Sequence, residues 1–395
     1  MNRRGWCPSL FAPMQSGDGM LLRVKPRLGV IPAPEARALA DAARQLGNGM
    51  LGLTNRGNLQ LRGFTEESAA EFARIIVALG LANPDPASEA RRNVAAPPLI
   101  GLDPALHPGC FDLVRRLDDT LARRTEFAPL HGKFGIVVDG GGALPMSDVA
   151  CDILLQPDRD GVLISLDGSV MAARVKQDEA VDATLNLIRA FIAAGPLRRM
   201  REANADAIFA AAGLSPAAMR LLRPARPAIG ALPGAFGLGL PFGLLQAADL
   251  EALADLAEMR GDSTLRLTPF RALLIPGITA LPRLALPATK AITDPGDPLL
   301  RVQACPGAPY CASASVNTQE AGVLVAAELT WQGVLHVSGC KKGCARPTRS
   351  PLTLVGDAGA WTLVRNGRAD GTAELYRQPL TTIVQHLAAE TSGVR

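Results

Sequence analysis

Aromatic side chains are scarce in this chain of 395 residues: Phe, Trp and Tyr together make up 4%, with three Trp and two Tyr. So few rings leave little on which bases could stack, and a formal net charge of +4 is too weak to attract a phosphate backbone, so no nucleic-acid partner is expected. No membrane span is expected either. One uncharged stretch, 227–245, has the length, but five Gly and three Pro interrupt it, and it reads as a linker feeding a strand. No apolar run follows the charged N-terminus and neither end carries a lipidation motif, which reads as a mature cytoplasmic chain. A Gly-x-Gly-x-x-Gly opening a helix after a strand is also missing, so the sequence shows no dinucleotide-binding fingerprint.

What is present is ordinary globular material, 48% apolar and 20% charged, enough for two or three lobes of about 150 residues that need no disulfide to fold. Seven cysteines are an odd number, and four of them form two tight pairs near the C-terminus. That distribution argues against a secreted disulfide framework and for thiols that are free or metal-bound in a reducing compartment.

The chain repeats itself. An offset of 214 positions aligns Gly29 with Gly243, Ala38-Leu39-Ala40-Asp41 with Ala252-Leu253-Ala254-Asp255, Thr54 with Thr268 and Gly63 with Gly277. Each copy reads strand, helix, strand, strand: 20–24, a helix from Glu35, then 50–54 and 59–61 around an Arg-Gly-Asn turn. A further helix places Phe72, Ile75, Ile76 and Leu79 on one face. Such halves are ferredoxin-like and can pair about a pseudo-twofold into one sheet. Pro-rich seams at 83–98 and 222–241 divide the rest. The fold expected is α+β: a first ferredoxin-like half (1–82), an α/β lobe (83–228), the repeated half (229–299) and a second α/β lobe (300–395).

Cys305-Pro-Gly-Ala-Pro-Tyr-Cys311 is a C-x5-C pair, and Cys340-Lys-Lys-Gly-Cys344 is a C-x3-C pair 28 residues later. Four thiolates converging from separate segments suit a cubane iron–sulfur cluster, and Gly307 and Gly343 remove bulk where backbone would pass close to it. Zinc is the nearest competitor, although x5 is wide for a zinc knuckle; four buried thiols are the plain alternative. Cys7, Cys110 and Cys151 have no paired spacing and read as buried thiols.

The two pairs, within Ser338-Gly-Cys-x3-Cys, resemble the cluster signature of the sulfite and nitrite reductase superfamily, in which a 4Fe-4S cluster sits beside a tetrapyrrole. Leu53-Thr-Asn-Arg56-Gly-Asn-Leu-Gln60 resembles its Arg-x3-Gln tetrapyrrole strand, Arg92-Asn93-Val94 its Arg-Asn-Val turn, and Gly132-Lys133-Phe134 its Lys-Phe strand start. Arg4-Gly-Trp-Cys-Pro, Pro13-Met-Gln-Ser-Gly-Asp-Gly and Ser338-Gly-Cys-Lys-Lys-Gly-Cys-Ala-Arg-Pro347 are similar to the precorrin-3B synthase family. Reductases usually carry Cys-Pro-Asn-x-Cys where this chain has Lys341 and Lys342.

The resemblance implies a monooxygenase that uses dioxygen to hydroxylate precorrin-3A at carbon 20 with closure of a ring-A acetate lactone, fed from NADH through a reductase or ferredoxin. It implies Cys305, Cys311, Cys340 and Cys344 as cluster ligands, and Arg56, Gln60, Arg92, Lys133, Lys341 and Lys342 as residues for the macrocycle. Guanidinium forks match the carboxylates of such a rim. Arg62, Arg91, Arg346 and Arg349 lie beside the same motifs. The alternative is a sirohaem-dependent sulfite or nitrite reductase in which Cys344 bridges to the haem iron. The family is also associated with a non-haem iron. The chain has four histidines, His107, His131, His336 and His386, and of these His336, four residues before Cys340, is the weak candidate for ligand or proton donor.

Overall fold

The computed structural model describes residues 8–224, 226–280, 290–329, 331 and 333–392; Cys7 and the motif at 4–8 lie wholly or largely outside that range. The repeat governs its centre. Helix Ala33–Leu46 buries Ala36, Leu39, Ala40 and Ala43, one stripe at helical spacing, and helix Ala247–Arg260 buries Leu250, Leu253, Ala254 and Ala257 at the same offset. The turns ahead of them match in backbone as well: Leu28 and Phe242 have φ of 57° and 60°, followed by Gly29 and Gly243 at 70° and 75°.

These left-handed turns have a topological consequence. Strand Val30–Pro32 leaves its own half and pairs with Thr264–Leu267 of the other, while Leu244–Gln246 pairs with Met50–Leu53. In place of the single sheet expected there are two five-stranded sheets, each completed by a strand from the opposite half. The first runs Met14–Ser16, Gly19–Val24, Leu59–Phe64, Met50–Leu53, Leu244–Gln246. The second runs Gly230–Leu232, Ala235–Gly239, Ala272–Pro276, Thr264–Leu267, Val30–Pro32. The stretch 227–245 is therefore a hairpin as well as a connection. One apolar core serves both halves.

The two helices pack on each other through stripes rich in alanine, which let their backbones approach. Ala254→Leu is expected to overpack this contact and cost about 1–3 kcal/mol, read as a lower urea midpoint.

The middle lobe is a six-stranded sheet, Pro216–Met219, Met171–Val175, Gly161–Leu166, Ile153–Asp158, Ile136–Val138 and Val94–Ala95, whose core includes helices Cys110–Arg123 and Ala180–Ala193. The last lobe sets helices Thr318–Glu328 and Leu380–Ser392 on a five-stranded sheet, Val302–Ala304, Leu335–Ser338, Ser350–Asp357, Ala360–Gly367, Leu375–Gln378. Among the described residues no helix is long and apolar enough to cross a membrane.

Candidate functional site

The C-x5-C loop follows strand Val302–Ala304, and the C-x3-C loop follows the adjacent parallel strand Leu335–Ser338, so the two pairs leave the sheet at the same edge. Cys305 is buried, and the Gly339 N–H donates to its Sγ at 3.2 Å, tying one loop to the other. Ser338 Oγ donates to the Cys340 carbonyl at 2.7 Å. Gly307 is left-handed at φ 67°, and a Cβ there would strike Thr318 at the start of the helix, so the loop can close only without a side chain.

The first half supplies the opposite wall. Arg62, itself buried, holds Asp18 through two 2.8 Å bonds and donates to the Tyr310 carbonyl at 3.0 Å, one residue before Cys311. A Cβ on Gly17 would lie 2.2 Å from the Ala312 nitrogen, so the hairpin meets the cysteine loop backbone to backbone.

All four predicted cysteines open on one cavity of about 1010 Å³, at the upper end of small-molecule sites. Burial, together with the nearness of Cys305, Cys340 and Cys311, pushes the Cys344 thiol up. Away from this cavity, among the described residues, Glu374, His386 and Glu390 bring three ligand atoms within 4.8 Å of one another. In that trio Glu374 and Glu390 are exposed and His386 is half-buried, and Arg365 donates to both carboxylates, which makes it a surface charge network.

The cavity floor is a row across the first sheet: Arg23, Gln60, Gly52 and Leu244 are successive register neighbours on four strands. Gln60 lies within that row, and Lys342 on the rim is bonded to Ser313 Oγ at 2.8 Å. Arg23, which the motifs did not single out, lines the same cavity, and its Nε is buried without a hydrogen-bond partner among the described residues. Its signal was there: a cation at an inward position of a strand otherwise apolar, Met20-Leu-Leu-Arg-Val24. Arg271 also lines the cavity, but its guanidinium is engaged by the carbonyls of Val302 at 2.7 Å and Leu300 at 3.0 Å.

The other basic residues sit elsewhere. Arg56 and Arg92 line a separate small cavity of about 40 Å³ with Lys25, Asp118, Gly135 and Cys151. Arg56 donates to the Lys133 carbonyl, occupying space that a side chain at Gly135 would take. Arg92 is held by Glu89 at 2.8 Å and Asp118 at 3.1 Å. Lys25, whose amine burial draws down to about 8, donates to the carbonyls of Glu89 and Arg92 and fixes that turn. The two cavities are neighbours in sequence, since Arg23 and Thr54 face one while Lys25 and Arg56 face the other. Lys133 lines neither, and Lys341 is exposed outside the large cavity. Arg91 caps the helix Cys110–Arg123 through the carbonyls of Leu121 and Ala122. Cys110 and Cys151 are buried thiols pushed up to about 12 by desolvation, and so inert. His336 is wholly buried and does not line the cavity.

A nitrite/sulfite reductase ferredoxin-like half domain matches residues 12–79 and 234–281, the two repeats. The structure resembles the NirA protein of Mycobacterium tuberculosis with a TM-score of 0.70 and 17% identity, covering 94% of this chain and 80% of that one, a likeness of fold. A ferredoxin–nitrite reductase of Synechococcus elongatus is 26% identical, covering 90% of this chain and 79% of the relative. A precorrin-3B synthase of Sinorhizobium sp is 34% identical, covering 95% of this chain and 85% of the relative, and with that extent of shared sequence around a four-cysteine cavity the chain belongs to the precorrin-3B synthase family.

Proposed function

We infer that the chain is an oxygen-dependent monooxygenase that converts precorrin-3A to precorrin-3B. One atom of dioxygen becomes the hydroxyl at carbon 20 and the ring-A acetate closes a lactone onto carbon 1. The other atom leaves as water with two protons and two electrons that come ultimately from NADH. The observation that carries this reading is the shared cavity: the four cysteines form one wall and the Arg23, Gln60 row forms the floor, in a space large enough for much of a macrocycle.

In this reading Cys305, Cys311, Cys340 and Cys344 hold a 4Fe-4S cluster, which would supply electrons one at a time. Arg23 and Lys342 meet carboxylates of the rim and Gln60 orients the ring. Gly52, without a side chain, keeps the floor flat beneath it. Arg56 and Arg92 act from the small cavity, with Arg92 held in place by Glu89 and Asp118, and Lys133 acts through its carbonyl, which fixes the Arg56 guanidinium. The electron donor is a separate reductase or ferredoxin, and the chain works in the cytoplasm.

The sirohaem-dependent reductase is the second reading, favoured by the nitrite reductase relatives and the shared fold. Absorption of the anaerobically purified protein separates the two. The synthase reading predicts a broad iron–sulfur shoulder, bleached by dithionite, and no sharp Soret band; a stoichiometric sirohaem Soret band would establish the reductase instead.

A further inference from the structure

His336 is the residue whose burial is hardest to explain by packing. It is 0% exposed, and among the described residues both ring nitrogens are buried with no hydrogen-bond partner, whereas every other described residue with orphaned buried side-chain atoms has one such atom. Its neighbours on the strand, Leu335 and Val337, enter the apolar core, so the imidazole stands on the opposite face of the sheet, beside Gln303 and Thr353 in register. Over that face folds the Cys340 to Cys344 loop. Gly343, left-handed at φ 60°, lies directly above the ring, and a Cβ there would sit 3.5 Å from His336 Cε1. Arg346, which donates to Gln303 Oε1 at 3.4 Å, closes the side. Burial and that cation keep the imidazole neutral, so it presents one N–H donor and one lone pair.

An unpartnered buried donor is tolerated where it serves a group outside the protein's own hydrogen-bond inventory. The acceptor that the cluster loop would bring is a sulfur-rich, negatively charged core, and donors to such a core favour its reduced, more negative form. We propose that His336 is a positioning residue for the iron–sulfur centre: its ring supports the Cys340 to Cys344 loop from beneath, and its N–H dipole raises the cluster's reduction potential. It does not touch the substrate, since it lies outside the cavity wall that Gln303 completes. The inference rests on the cluster reading above.

The test is the midpoint potential of the cluster in the full-length holoprotein, measured by dye-mediated titration with electron paramagnetic resonance detection, in wild type, His336→Phe, His336→Asn and His336→Gln. His336→Phe keeps a flat ring and removes the donor. Its ratio of reduced to oxidised cluster at a fixed potential is expected to fall at least tenfold, equivalent to about 59 mV for one electron. One of the two amides, Asn standing near Nδ1 or Gln near Nε2, is expected to restore most of the shift and so name the nitrogen that donates. A fully loaded His336→Phe protein with the wild-type potential and spectrum would overturn the proposal. So would a shift that neither amide reduces, which would mark a packing role. If His336→Phe does not hold its cluster, the amide variants decide: a wild-type potential in one of them supports the donor, and an equal fall in both contradicts it. Wild-type protein without iron and sulfide would instead overturn the cluster reading itself.

Discussion

Cys305→Ser is expected to remove most of the iron and acid-labile sulfide from the purified protein and to abolish turnover. Cys305 is the most buried of the four ligands proposed, and its sulfur receives the Gly339 N–H that joins the two loops. Serine offers a harder oxygen ligand on a shorter bond, a poorer match to an iron–sulfur core than thiolate. Iron and sulfide analysis beside a ligand-free control, Cys110→Ser, checks this. The control thiol is buried against the middle lobe and is expected to retain the wild-type metal content. Wild-type iron in Cys305→Ser would remove it from the ligand set.

The second large effect is expected at Arg23. Arg62 is bound to Asp18, Arg271 to two backbone carbonyls and Arg92 to Glu89 and Asp118, whereas the Arg23 Nε is left without a partner at the cavity floor. A hydrogen bond to a charged partner contributes about 1.5–3 kcal/mol, so Arg23→Ala should weaken binding of a precorrin or a stable analogue by about ten- to a hundredfold. Cluster content should be unchanged, because among the described residues no hydrogen bond ties the Arg23 side chain to either cysteine loop. Arg23→Lys should recover part of the affinity but not the planar two-point match to a carboxylate. Unaltered affinity in Arg23→Ala would move the macrocycle off the floor and toward the rim at Lys342.

The repeat was legible because an ungapped offset survives in the helix stripes and in the left-handed turns, where Gly29 and Gly243 satisfy the same backbone demand. The exchange of Val30–Pro32 and Leu244–Gln246 between sheets was not legible. Strand pairing between segments so distant in the chain, Leu244 with Gly52 and Thr264 with Pro32, leaves no local trace, and the same pattern would serve a single sheet. Strand Leu335–Ser338 showed as a short apolar run ending at Cys340, while the long hairpin Ser350–Asp357 and Ala360–Gly367 was missed because its polar positions break the alternation.

At the site, the cysteines could be read from spacing because soft-ligand chemistry restricts it. The arginines could not be sorted by motif alone. Arg56 and Arg92 carry the recognisable signatures, yet their distant partners, the Lys133 carbonyl and Asp118, determine where their charge is spent. Arg23 stood in no motif, and only the cross-strand register with Gln60 places it on the floor.

Turnover of precorrin-3A by the anaerobically reconstituted protein, with its reductant supplied, under isotopically labelled dioxygen tests the central claim most directly. The account predicts a product that carries one labelled oxygen atom at carbon 20, formed only when the cluster is loaded. A product with its new oxygen drawn from water, or reduction of nitrite or sulfite with precorrin-3A left untouched, would contradict it.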